Sequence, residues 1–302
     1  GPAAGPAAAT TAKAPAALPP RAAARRYTLP NGLEIQHLGK AETDHFYDDI
    51  FVKRVYYKNG IRLRPSATVF DVGANIGLFT LFVGQVCPTA RVYSFEPAPP
   101  VFEILRANVA RHGVQATLFN EGVSDRPGTA ELTFYPSSSG MSSFHADLAE
   151  EQQVFRAILE NQHRARMEGM DEVMAHMDEL MEERFKSHLF ACRLRPLSEV
   201  IREQGITRID LLKVDVQKSE LQVLAGIEDA DWPKIRQVVL EVHDIDGGLD
   251  KAVSTLRARG FRVQAEQDDL YESSPIYNLY GTRDDLGRDD LAPTHPPQEI
   301  QP

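Results

Sequence analysis

"TVFDVGANIGLFTLF", residues 68–82, decides the fold. An apolar run ends at Asp71, glycines follow at 73 and 77, and a second apolar run opens behind them. That is a strand, a tight turn and the start of a helix. The same unit recurs downstream. "RVYSFEP" (91–97) is a strand ending at Glu96, and "PPVFEILRANVARHG" (99–113) is a helix with proline at its start and glycine past its end. "ATLFNEGVSD" (116–125) is a third strand with its loop, and "TAELTFYPS" (129–137) a further strand. "IDLLKVDVQ" (209–217) and "IRQVVLEVHD" (235–244) are core strands, each followed by a helical pattern. "FRVQAEQ" (261–267) and "IYNLYGTR" (276–283) close the set. Alternating strands and helices predict an α/β fold: a Rossmann-like, mainly parallel, doubly wound sheet. In such sheets ligands bind beyond the C-terminal strand ends.

The loop chemistry narrows the ligand. A dinucleotide fingerprint places G-x-G-x-x-G after the first strand. Here the string is Asp71-Val-Gly73-Ala-Asn75-Ile-Gly77, with the acid ahead of the glycines and a second acid, Glu96, at the next strand end. Glu96 is suited to accept hydrogen bonds from ribose hydroxyls. Asp71 is suited to lie near a positively charged group. This set fits S-adenosylmethionine, with its sulfonium and ribose diol, better than a dinucleotide. Ser124 and Asp125, after the third strand, are candidate adenine-side contacts, although "SDRPG" is also plain turn chemistry.

Composition sets the outer bounds. The chain has 302 residues, 42% hydrophobic and 25% charged, which suits a globular protein with a sizeable core. A net charge of −10 disfavours nucleic acid as a partner. Two distant cysteines, Cys87 and Cys192, give no disulfide framework, and a reducing cytoplasm is expected. No apolar run approaches membrane-spanning length, so no membrane partner is expected. Residues 1–25 are Ala/Pro-rich and residues 284–302 polar and Pro-rich. Both read as linkers flanking a domain excised from a longer polypeptide. Residues 26–66 read as two Asn-Gly hairpins, "YTLPNGLEIQHL" and "VYYKNGIRL", with a short helix at "AETDHFYDDIF" between them. Within the core at 67–283, residues 145–187 break the alternation with a long charged helical stretch. Its methionines 170, 174, 177 and 181 recur at helical spacing, as a local core, a lid, or both.

"VFDVGANIGLFTLF", "SFEP", "VSD", "IDLLKVDVQKSELQVLAGI" and "VVLEVHD" together resemble the FkbM-type SAM-dependent methyltransferases, over roughly residues 67–283. The strings "VVLEVHD" and "YNLYGTR", with the helical insertion, look most like members embedded in polyketide synthase and nonribosomal peptide assembly lines. The resemblance implies methylation of a hydroxyl or enol on an intermediate tethered by phosphopantetheine to an acyl carrier protein, among neighbouring megasynthase domains. A free-standing enzyme acting on a sugar or natural product, and a non-catalytic domain, are the alternatives. Where the family string reads DVEGAE, this chain reads DVQKSE at 215–220, which removes a glutamate at position 217.

An oxygen acceptor calls for a general base. Glu241 and His243 stand two apart on a strand and therefore share a face. The reading assigns His243 as base and Glu241 as its orienting carboxylate. Asp215 is expected at the methionine end of the cofactor. Asp215, Asp244 and Asp246 form a less favoured Mg²⁺ alternative. Tyr47 and His45 are placed to cover the cofactor or touch substrate, and His145 to face the entrance. Lys53, Arg54, Lys58, Arg62 and Arg64 form a basic stretch that would suit an acidic carrier protein.

Overall fold

The computed structural model describes residues 24–283 except Ser273. Both predicted linkers lie almost wholly outside the described residues. In chain order the elements are β1 (Arg25–Thr28), β2 (Glu34–His37), α1 (Lys40–Tyr47), β3 (Thr68–Val72), α2 (Leu78–Val86), β4 (Arg91–Phe95), α3 (Pro99–His112) and β5 (Ala116–Phe119). Then come β6 (Gly122–Val123), β7 (Gly128–Phe134), α4 (Leu148–Arg164), α5 (Met170–Ala175), α6 (Met177–Arg184) and β8 (His188–Arg195). The C-terminal part holds α7 (Leu197–Glu203), β9 (Leu211–Val214), α8 (Glu220–Ala225), β10 (Gln237–His243), α9 (Gly248–Ala258), β11 (Arg262–Glu266) and β12 (Ile276–Thr282).

Seven strands form the central sheet in the order β11-β12-β10-β9-β3-β4-β5. The pairs from β10 to β5 are parallel, and β12 runs antiparallel to both its neighbours. All five residues of β3 are buried, as expected for a central strand covered on both faces. One apolar cluster gathers around Val69, Leu81 and Val92, and another around Phe70, Leu212 and Leu240. Neighbours Val69 and Phe70 therefore serve opposite faces. A smaller sheet, β6-β8-β7, stands apart from the main one. Its strand β8, "HLFACRLR", was not foreseen: exposed positions at His188, Leu189, Ala191 and Arg193 break up the apolar run.

Two N-terminal expectations change. β1 and β2 pair as predicted, but across residues 29–33, with positive φ at Gly32 and not at Asn31, so the turn is not the two-residue type. At "VYYKNGIRL", Asn59 and Gly60 do take positive φ, at 53° and 92°, yet no hairpin forms. The flanking groups bond to the main domain instead. Tyr56 Oη donates to Asp215, and the Arg62 N–H and C=O both bond the Gln237 side chain. The basic stretch is likewise tied inward, since Lys53 pairs with Asp49, Lys58 with Glu266 and Arg64 with Asp210. Three of its five charges are therefore paired with this chain's own acids.

The insertion at 145–187 is helical as predicted. Met170, Met177 and Met181 bury themselves with Tyr135, Phe155, Leu159 and Phe185, and Met174 packs at the margin. The methionine stripe is a local core, and the helices it holds together roof the site.

Candidate active site

The glycine loop is shaped by the protein's own packing. Gly73 and Gly77 have φ of 78° and 93°, where side chains are disfavoured. A Cβ on Gly73 would lie 1.8 Å from the Asp215 carbonyl oxygen, and one on Gly77 would lie 2.7 Å from Leu105 of α3. The first glycine lets the loop pass the end of β9, and the second lets α3 close on α2. Asn75, at φ 49°, donates its backbone N–H to Glu96 Oε2 at 3.0 Å. Glu96 Oε1 accepts from the Ala98 N–H at 2.9 Å. Burial pushes the Glu96 carboxyl up to about 7, against the pull of those two backbone bonds. Gly73, Asn75 and Glu96 all line one large cavity of about 490 Å³ at the C-terminal ends of the parallel strands. Gly77 does not.

Beneath the loop lies a buried polar layer. Lys213 Nζ donates to the Gly73 carbonyl at 2.7 Å and stands 3.1 Å from Asp71 Oδ1 and 3.6 Å from Asp215 Oδ2. Burial opposes the ammonium, but Asp71 and Asp215 overcome it and leave its pKa raised. Asp71 is fully buried, accepts from Thr80 Oγ1 at 2.7 Å, and does not reach the cavity. Its influence passes through Lys213, so the direct contact expected of Asp71 is corrected. The sequence reading missed Lys213, although a lysine within the apolar run "LLKV" is the signal that would have found it.

At the next strand end the expected pair is rearranged. Glu241 and His243 both line the cavity, as their alternation on β10 requires. The carboxylate that holds His243, however, is Glu220: His243 Nδ1 lies 2.7 Å from Glu220 Oε1. Glu220 opens α8, which follows β9 after residues 215–219 and packs against β10. Glu241 has another environment. Burial first, then the carboxylates of Asp215, Asp49 and Glu220, push its pKa well up, toward the neutral form. Asp215 also lines the cavity and accepts from Tyr56 Oη at 2.7 Å. His45 borders the same end, 3.2 Å from Tyr271 Oη and 3.4 Å from Asp49. Tyr56, Asp49, Tyr271 and Glu220 were not anticipated, because only the folded chain brings residues so distant in sequence together.

Other expected site residues lie away from the cavity. Tyr47 stacks on Phe51 with ring centroids 5.1 Å apart, docking the N-terminal helix rather than covering a cofactor. Ser124 Oγ donates to Asp125 at 3.2 Å within an exposed turn. Glu121, Gly122 and Val123 line the cavity in their place, because β6 pairs with β8 and carries the chain away after Val123. His145 approaches Gln222 at 3.4 Å and does not line the cavity. Among the described residues no three acid, His or Cys side chains are grouped to hold a metal, so Asp215, Asp244 and Asp246 are not brought together; Asp244 accepts the Leu249 N–H instead.

The roof is supplied by the insertion. Val154, Phe155, Ile158 and Leu159 of α4 and Val173 of α5 present apolar side chains to the cavity. The strand-end side is therefore acidic and polar, and the insertion side largely apolar, with Glu150, Glu151 and Gln162 of α4 among its lining residues. The polar end fits S-adenosylmethionine: Glu96 offers acceptor oxygens at the end of β4, and the carboxylates of Asp49 and Asp215 suit the cationic methionine end.

Comparison with known proteins agrees with this geometry. The methyltransferase FkbM domain family matches residues 71–263. The 31-O-demethyl-FK506 methyltransferase FkbM of Streptomyces tacrolimicus is 45% identical over 256 residues, spanning 84% of this chain and 95% of that protein. The AMB antimetabolite synthetase AmbE of Pseudomonas aeruginosa is 42% identical over 262 residues, 84% of this chain but only 12% of that much longer protein. A solved methyltransferase FkbM from Methylobacillus flagellatus aligns with 74% of this chain and 46% of its own at 14% identity and a TM-score of 0.46. A family match across residues 71–263, with 45% identity to a relative covered almost from end to end, makes this chain a member of the FkbM family of methyltransferases.

Proposed function

We propose that this methyltransferase acts on oxygen, methylating a hydroxyl or enol of a biosynthetic intermediate carried by phosphopantetheine on an acyl carrier protein. The observation that carries the oxygen assignment is the His243–Glu220 pair within the cavity that also presents Glu96 and the glycine loop. When bound, S-adenosylmethionine supplies an electrophilic methyl group. A carboxylate only accepts hydrogen bonds, so His243 donates from Nδ1 to Glu220 and keeps its lone pair on Nε2. The acceptor hydroxyl passes its proton to that nitrogen as its oxygen becomes the nucleophile, and Glu220 stabilises the imidazolium that forms. Glu241 in its neutral form is an O–H donor beside this histidine, not its orienting base. The apolar roof excludes water and receives the hydrocarbon part of the acceptor.

The carrier-tethered substrate draws support from the likeness to a segment of a synthetase. The likeness to a relative matched over nearly its whole length favours a second reading, a free hydroxylated natural product as acceptor. Incubation with labelled S-adenosylmethionine and a hydroxyacyl group, presented either on a holo carrier protein or as its free thioester, tests both. Label on the carrier-bound oxygen alone supports the first reading. Equal labelling of the free compound favours the second, and label on carbon or nitrogen removes the oxygen assignment.

A further inference from the structure

Lys218 joins the helical roof to the catalytic end of the cavity. Its side chain is only 9% exposed, and its Nζ lies 2.7 Å from Glu150 Oε2 and 3.6 Å from Glu151 Oε1, both in the first turn of α4. Its backbone has φ 63°, a left-handed conformation that strains a residue with a Cβ. In that conformation its N–H donates to Glu220 Oε1 at 3.2 Å, the oxygen that also receives His243 Nδ1 at 2.7 Å. A second contact ties the same loop to the segment leading into the insertion: Ser143 Oγ donates to the Gln217 carbonyl at 2.9 Å. Glu150, Glu151, Lys218 and His243 all border the cavity.

We propose that Lys218 is a positioning residue that couples closure of the insertion over the cavity to the orientation of His243. With α4 in place, the two glutamates hold the ammonium and so keep residue 218 left-handed. That conformation points its N–H at Glu220, which fixes the imidazole. When α4 lifts, the ion pair is lost and no longer holds the strained backbone of residue 218 against relaxation. The N–H then leaves Glu220 and the histidine loses part of its support. Glu150, in the shorter pair, is 38% exposed, but the lysine and Glu151 are largely buried, with side-chain exposures of 9% and 4%, so the ammonium is also held from a side that water does not screen. The inference rests on the reading of His243 as the base, yet its readouts do not require turnover.

The test compares Lys218→Met, Lys218→Gly and Lys218→Arg in the full chain. Two quantities are followed: hydrogen exchange of residues 148–164, and the imidazole N–H proton resonance of His243. In Lys218→Met, exchange in α4 should quicken about tenfold and the imidazole resonance should lose its hydrogen-bonded shift. Lys218→Gly lacks the ammonium but suits a positive φ, so exchange should quicken equally while the resonance stays close to that of the parent. Lys218→Arg should resemble the parent in both. Unchanged exchange in Lys218→Met would overturn the latch. Equal resonance changes in the Met and Gly variants would overturn the coupling through the backbone of residue 218. Turnover of His243→Gln, measured separately, judges the base assignment alone and enters neither readout.

Discussion

His243 Nδ1 and Glu220 Oε1 lie 2.7 Å apart, although Glu220 precedes the histidine by 23 residues. The contact joins the start of α8 to the end of β10 and fixes the imidazole of His243 at the cavity wall. Both side chains are nearly sealed from solvent, each 4% exposed. A buried pair at a cavity wall is what a general base held in one tautomer requires.

His243→Gln should therefore lower kcat by about 100-fold or more, the usual contribution of a positioned base. Glu220→Gln should lower it less, since the ring stays in place but loses its charged partner. Neither should alter affinity for S-adenosylhomocysteine, which titration calorimetry measures. Parental turnover in His243→Gln would remove the base.

Glu96 gives the site a pH dependence with a defined sign. Burial raises its folded pKa to about 7, above an unfolded value near 4.3. The folded state then holds the extra proton between these values. Its stabilising contribution is complete below about pH 4.3 and is lost as pH rises through about 7, a change of roughly 4 kcal/mol. The ionised carboxylate is the better acceptor for ribose hydroxyls, so S-adenosylhomocysteine affinity should rise from pH 6 to pH 8. Glu96→Gln should flatten both profiles. Identical slopes in parent and variant would contradict the ribose assignment.

Lys213→Met should destabilise the fold by about 3–5 kcal/mol, because it leaves Asp71 buried without its cation. Urea denaturation reads this directly. Lys213→Met with Asp71→Leu should recover part of the loss, since an apolar pair can replace a buried ionic one. No recovery would mean that Lys213 is held for the Gly73 carbonyl rather than for Asp71.

Ile158→Trp and Val173→Trp would fill the apolar half of the cavity without touching Glu96 or the glycine loop. Each should raise the acceptor KM while leaving S-adenosylhomocysteine binding unchanged. A parallel loss of cofactor affinity would show that the roof serves the methyl donor instead.

Much of this was legible in the chain. The strand-glycine-helix unit at 68–82 gives β3 and α2, and Glu96 lines the cavity because it follows an apolar strand by a single step. Gly73, Asn75, Asp215, Glu241 and His243 reached the cavity for the same reason, as all stand at or just beyond parallel strand ends. Local rules failed where tertiary contacts decide. Asn59-Gly60 made the left-handed turn but no hairpin, since Tyr56 and Arg62 found stronger partners in Asp215 and Gln237. Glu241 was named as the partner of His243 because sequence spacing shows a shared face, whereas the actual partner arrives from another helix. Tyr47 was assigned to the ligand on its aromatic character, and it packs on Phe51.

The most direct test is calorimetric titration of the purified protein with S-adenosylhomocysteine and, separately, NADH. One equivalent of S-adenosylhomocysteine should bind, with affinity lost in Glu96→Ala, and NADH should give no binding heat. Binding of NADH, or of neither ligand, would contradict a cavity built around a methyl donor.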